Sequence, residues 1–94
     1  MTPEQSRAGR GWLGWLQTDL AKAATVSLRT VAAFERGEIV PLPNNLSAMQ
    51  RAFEKAGLRL LFDREGLAAG VARQAADIEP SNKVHPSTIS RLTA

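Results

Sequence analysis

The stretch LQTDLAKAATVSLRTVAAFERG, residues 16–37, constrains the fold of this chain more than any other part of the sequence. Its apolar residues recur at helical spacing in two short runs, whereas a strand would alternate with period two. Ser27 stands where the second run needs an N-cap, and Gly37 falls just past its end, where a left-handed C-cap favours glycine. We therefore predict two helices joined by a tight turn, a helix-turn-helix. The expected inward-facing residues are Leu20, Ala21 and Ala24 in the first run and Val31, Phe34 and Glu35 in the second.

The chain before this stretch carries a strong helix start. Thr2 is a suitable N-cap, a proline follows at the first helical position, and Gln5 completes a capping box. The first helix is expected to run to about Leu13 and to end at Gly14. We place the second helix at about residues 17–24 and the third at about 28–36.

The chain after the stretch predicts one more helix and a hairpin. The loop EIVPLPNN contains two prolines and cannot be regular helix or a central strand. Asn44 or Asn45 is the expected cap of a fourth helix that stops at Gly57. The consecutive pieces LRLLFD, REGLAAG and VARQ alternate around glycines and then favour a short β-hairpin. An isolated hairpin is marginally stable, so it must pack on the helices or pair with a second chain. Pairing of two hairpins across a two-fold axis would give a homodimer, which the sequence neither establishes nor excludes.

Length and composition limit the class of protein. Ninety-four residues, 44% of them apolar, allow one small helical domain, predicted over residues 1–74, and a tail over residues 75–94. We expect the tail to be flexible, with a helix induced by a partner at VHPSTISRL as an alternative. The absence of cysteine excludes disulfides and thiolate metal sites, and no apolar run approaches the ~20 residues of a membrane span. We expect a cytoplasmic protein without a cofactor. The net charge of +3 permits nucleic-acid binding without arguing for it.

The pattern GW-x-QTDLA-x-AA-x-VS-x-x-TV-x-x-FE-x-G resembles the Cro/cI, or XRE, family of bacterial helix-turn-helix regulators, and PLPNNLSAMQRAFEKAGLRLLF resembles the continuation in its small members. The resemblance covers roughly residues 2–73. It implies a mainly α, four-helix Cro/cI-like domain whose third helix lies in the major groove of DNA. It also implies a structural ion pair between Arg10 and Glu35, the latter at the end of the third helix.

The third helix departs from the family at the positions that meet bases. On its exposed face we expect Leu28, Arg29, Ala32, Ala33 and Arg36, and family members commonly place polar residues at the sites of Leu28, Ala32 and Ala33. Base edges are recognised through hydrogen bonds, which these three side chains cannot make. If DNA is still read, the candidate contacts are Gln17, Ser27, Arg29 and Thr30.

Two neighbouring positions have changed as well. Thr25 stands where the family turn usually has glycine, and a β-branched residue is strained in left-handed backbone. Leu16 stands where a serine or threonine usually caps the second helix and approaches a phosphate. Trp12 either packs against the fourth helix or adds to an exposed surface, while Trp15 is expected in the core. The predicted partner-binding residues are Trp12, Leu16, Leu28, Arg29, Ala32, Ala33 and Arg36.

These observations favour a degenerate XRE-type domain that binds and inhibits a transcriptional activator, as an antiactivator does. Small proteins that restrain LuxR-type quorum-sensing activators are similar in kind. An ordinary dimeric DNA-binding repressor is the first alternative, and the antitoxin of a toxin–antitoxin pair is the second. We predict no enzymatic activity, because the sequence offers no nucleophile–base pair, carboxylate pair or phosphate-binding glycine loop, and His85 has no second ligand for a metal near it.

Overall fold

A computed structural model of the chain describes residues 1–73. Four helices are followed by a two-stranded antiparallel hairpin, so the predicted mainly α fold is confirmed. The predicted tail, its induced helix at VHPSTISRL and His85 lie outside the described residues. The elements are α1 Pro3–Leu13, α2 Gln17–Ala24, α3 Leu28–Glu35, α4 Pro43–Lys55, β1 Leu58–Phe62 and β2 Ala68–Arg73.

The ends of α1 follow from local cap chemistry. Thr2 Oγ1 accepts a hydrogen bond from the Gln5 N–H at 3.2 Å, and Gln5 Oε1 accepts one from the Thr2 N–H at 3.1 Å. Each bond satisfies a donor that the first helical turn would otherwise leave unpaired. Gly14 closes the helix in left-handed backbone at φ 68°. The predicted limits of α1 are confirmed.

The turn between α2 and α3 holds Thr25 in left-handed backbone, at φ 57° and ψ 45°. It is the only non-glycine residue with positive φ among residues 1–73, and it occupies the site where the resemblance implies glycine. Ser27 Oγ then accepts from the Thr30 N–H at 3.0 Å and caps α3. Leu16 has no polar atom to cap α2, and Asp19 instead accepts from the Leu16 N–H at 2.7 Å.

Two helix limits differ from the prediction. The fourth helix begins at Pro43 with Leu42 as its N-cap residue, so neither Asn44 nor Asn45 is the cap. Proline suits the first helical position, because it has no N–H to leave unsatisfied and its φ is already helical. Arg36 is the C-cap of α3 and lies just outside the helix.

The core lies where α2, α3, α4 and the start of β1 meet. Phe53 is fully buried, and its ring stacks on Trp15 with centroids 5.9 Å apart and planes inclined by 22°. Gly9 of α1 faces this ring so closely that a Cβ there would lie 2.8 Å from Phe53 Cε1. The other side chains buried to below 2% exposure are Ser6, Leu20, Val31, Met49 and Leu58.

The hairpin packs against the helices on both of its strands. β1 contacts α4 and β2 contacts α1, with Leu58 and Leu60 buried. The side-chain amide of Gln5 donates to the carbonyls of Leu61 at 2.9 Å and Gly70 at 3.1 Å, at the point where the strand register shifts. This polar contact ties the hairpin to the first turn of α1.

Candidate functional site: the surface around α3

The position of α3 is fixed by its last residue, Glu35, whose side chain is only 4% exposed. Arg10 of α1 donates to both carboxylate oxygens, with Nη2 2.6 Å from Oε1 and Nε 2.9 Å from Oε2. Ser6 Oγ donates to Oε2, and Gln17 Nε2 donates to Oε1 at 3.0 Å. Arg10 and Glu35 thus form the ion pair that the resemblance implies, within a cluster that joins α1, α2 and α3.

Burial alone would raise the pKa of Glu35, because a charged carboxylate loses its hydration. The hydrogen bonds from Arg10, Ser6 and Gln17 outweigh that effect and hold the pKa of Glu35 below its ordinary value. The hydrogen bond between Arg10 and Glu35, together with the negative charge of Glu35, raises the pKa of Arg10. The cluster is therefore charged at neutral pH and holds the end of α3 against α1 and the start of α2.

The outward face of α3 is narrower than predicted. Leu28 is 45% exposed and Arg29 is exposed, but Ala32 is only half-buried and Ala33 is 9% exposed, within the core. The prediction that Ala33 belongs to the exposed face is wrong, because the chain turns back after α3, where the Glu38 N–H donates to the Ala33 carbonyl at 2.9 Å, and the Ala33 side chain is buried. Arg36 is exposed, and its guanidinium pairs with Glu38 at 2.8 and 3.0 Å.

Most of the polar candidates for DNA contact already bond to other groups of the protein. Ser27 Oγ and Thr30 Oγ1 are 2.8 Å apart and hydrogen-bonded, and the Gln17 amide donates to Glu35. Arg29 is the one candidate among Gln17, Ser27, Arg29 and Thr30 whose side chain bonds to nothing within residues 1–73.

Trp12 is 58% exposed, so more than half of its side chain faces solvent. It does not lie with the α3 face. Arg10 points from α1 towards α3, and two residues further along a helix the side chain points to nearly the opposite side. The structure thus separates Trp12 from the other predicted partner-binding residues.

Leu16 and Leu28 lie at two ends of the α2–α3 unit. Leu16 is 68% exposed and precedes Gln17, which contacts the end of α3. Leu28 lines a shallow cavity of about 270 Å³ together with residues of α2 and the turn. The cavity is lined by Thr18, Ala21, Lys22, Val26 and Leu28.

The loop after α3 adds exposed apolar residues that the sequence analysis did not single out. Ile39, Val40 and Leu42 are 44%, 83% and 72% exposed. The sequence itself indicates an apolar loop, because three large aliphatic residues lie between Glu38 and the asparagines. The loop also has no cation that could approach a phosphate.

A family model described as Helix-turn-helix matches residues 7–58, more than half of the chain. The chain belongs to the XRE-type helix-turn-helix family. Members of this family are DNA-binding transcription regulators rather than enzymes, and this XRE-type chain is a transcription regulator of that fold. No curated protein matches it.

Two further findings concern the described part of the XRE-type domain. Residues 1–73 contain no group of three or more histidine, cysteine, aspartate or glutamate side chains placed to hold a metal ion. None of its four helices has the length and apolar character needed to span a membrane.

Proposed function

We propose that this XRE-type regulator acts as an antiactivator, binding a transcriptional activator through its α3 surface instead of reading an operator. We define the α3 surface as Leu16, Leu28, Arg29, Ala32 and Arg36. Trp12 and Ala33 are left out of it, because the first points away from α3 and the second is buried.

The observation that carries the proposal is the chemistry exposed on and beside α3. Leu16 and Leu28 offer apolar side chains, and the cavity beside Leu28 is a concave place for an apolar anchor of a partner. The flanking cations Lys22 and Arg29 suit a partner whose anchor is bordered by acidic residues.

Weak capacity for base reading supports the same proposal. A good bidentate base contact contributes about 1–3 kcal/mol of discrimination, so a specific module needs more than one. Arg29 is the exposed residue of α3 with unused donors, because the Ser27 hydroxyl donates to Thr30 Oγ1 and Thr30 itself is half-buried. One such contact would leave most of an operator unread.

An ordinary dimeric repressor is the second candidate, favoured by the family itself and by the exposed guanidinium of Arg29. In that case Arg29 would contact a base while Gln17, Ser27 and Thr30 approach the backbone. The antitoxin alternative depends on residues outside the described part, and deletion of residues 75–94 tests it, since release of a neighbouring toxin should follow.

Selection from a pool of random DNA duplexes at moderate salt separates the two main candidates. For an antiactivator we expect no enriched sequence, and residual binding that falls steeply with salt as phosphate contacts do. Enrichment of one sequence, lost in Arg29→Ala, would establish the repressor and refute the proposal.

Inhibition of a LuxR-type activator, measured with a reporter gene that depends on it, tests the α3 surface directly. Leu16→Glu should abolish inhibition and binding of the purified activator, because it places a charge in an apolar contact. Leu67→Glu is the matched control, since Leu67 is exposed to the same degree, 65% against 68%, but lies in the hairpin turn. Equal behaviour of the two variants would show that the α3 surface is not the interface.

A further inference from the structure

A groove between α2 and α4 is unrelated to the α3 surface. Two adjoining cavities, of about 300 and 210 Å³, share Ala23, Ala52 and Lys55 in their walls. Alanine side chains form an apolar floor, and the aromatic side chain of Trp15 lines the smaller cavity. The residues lining the groove include Trp15, Ala23, Arg51, Ala52, Lys55 and Ala56.

The rim of this groove is positively charged. Arg51 and Lys55 are four residues apart on α4 and therefore lie on the same side of the helix. Both are exposed, and no carboxylate of residues 1–73 lies within ion-pair distance of either. An apolar floor beside two cations suits an apolar side chain flanked by carboxylates.

The chain itself carries such a segment close to the groove. β2 ends at Arg73, which pairs with Leu58, and Leu58 follows Lys55 by only three residues. The chain therefore leaves the described part beside the Lys55 end of the groove. The sequence that follows is Gln-Ala-Ala-Asp-Ile-Glu, with Ile78 between Asp77 and Glu79. Four residues span up to about 14 Å, enough for Asp77 to reach from Arg73 to Lys55.

We propose that the acidic segment Asp77–Ile78–Glu79 docks in the α2–α4 groove of its own chain. Ile78 contacts the apolar floor formed by Ala23 and Ala52, and the two carboxylates face Arg51 and Lys55. This contact is independent of the proposed antiactivator function, since it uses none of the residues of the α3 surface.

Methyl and aromatic NMR spectra of the full 94-residue chain test the proposal. We expect nuclear Overhauser contacts between the Ile78 methyls and the Ala23 or Ala52 methyls, unchanged on dilution. Asp77→Lys with Glu79→Lys should remove these contacts and shift the alanine methyl and Trp15 indole resonances. Adding Arg51→Glu with Lys55→Glu to that variant should restore the contacts, because the charges are complementary again. Glu65→Lys, in the hairpin turn, is the control for added positive charge and should leave the groove resonances in place.

Each other outcome overturns the proposal. Groove resonances that do not respond to reversal of Asp77 and Glu79 would show that the segment does not bind there. Loss of contacts without restoration in the fourfold variant would show that Arg51 and Lys55 are not its partners. Contacts that weaken on dilution would assign the groove to a segment of a second copy instead.

Discussion

Replacing Glu35 by glutamine should destabilise the domain severely, although the two side chains have the same shape. The substitution keeps one oxygen acceptor but removes the charge that faces Arg10, and its new amide presents a donor to groups that also donate, Ser6 and Gln17. Breaking a fully buried ion pair costs about 3–5 kcal/mol. The Arg10 side chain is 19% exposed and keeps some hydration, so we expect a loss of about 2–3 kcal/mol in the free energy of unfolding.

Urea denaturation followed by circular dichroism at pH 7 measures this loss. A domain of this size has a total stability of about 5–15 kcal/mol, so the midpoint should fall clearly while the slope m stays the same. Glu38→Gln is the matched control, because it breaks the Arg36–Glu38 pair, whose side chains are 58% and 55% exposed, and should leave the midpoint unchanged. Equal effects of the two substitutions would refute the assignment of Glu35 as the centre of a buried cluster.

The same carboxylate predicts a dependence on pH. The folded-state pKa of Glu35 is lowered, so its stabilising effect is present above the unfolded-state pKa of about 4.3 and is lost as the pH falls through the lower folded value. The difference in unfolding free energy between the wild type and Glu35→Gln should therefore shrink in acid. A difference that stays constant from neutral pH into this range would contradict the reasoning.

Four other substitutions follow from the described geometry. Gly9→Ala should lower stability by about 1–3 kcal/mol, because its Cβ would lie 2.8 Å from the Phe53 ring; an unchanged denaturation midpoint would show that the core yields without cost. Thr25→Gly should raise stability by up to about 1 kcal/mol, since relief of left-handed strain exceeds the added flexibility of the unfolded chain, and a lower melting temperature would contradict this. Leu16→Glu and Leu67→Glu should each change stability by less than about 0.5 kcal/mol, as measured by thermal denaturation, because both side chains are exposed.

The helices could be predicted from the sequence because capping residues next to their ends determine where they begin and end. The capping box of Thr2 and Gln5, the cap at Ser27 and the glycine after α1 act within one turn of chain. Thr25 could be placed in left-handed backbone because the resemblance fixed the geometry of its turn. The start of α4 was misplaced because proline at Pro43 begins a helix without any capping side chain.

The candidate site was predicted less well, because it depends on how helices pack. Ala33 and Ala32 are neighbours of the same residue type, and nothing in the local sequence shows that Ala33 is buried while Ala32 is half-buried. Gln17 is a plausible phosphate contact in the sequence, yet its amide bonds to Glu35 across the α2–α3 unit. Ser6 is a small polar residue on the inward side of α1, and its hydroxyl supplies one of the donors that keep Glu35 ionised.

The Gln5 side chain has a consequence for the domain as a whole. Its oxygen completes the cap of α1, and its amide group holds the carbonyls of Leu61 and Gly70 in the hairpin. All three residues lie outside residues 7–58, the span that the family model matches. The segment before this span and the segment after it are therefore joined through the side-chain amide of Gln5. Opening of the hairpin and fraying of the first helical turn should therefore be coupled, and their backbone amides should show similar opening free energies in hydrogen exchange.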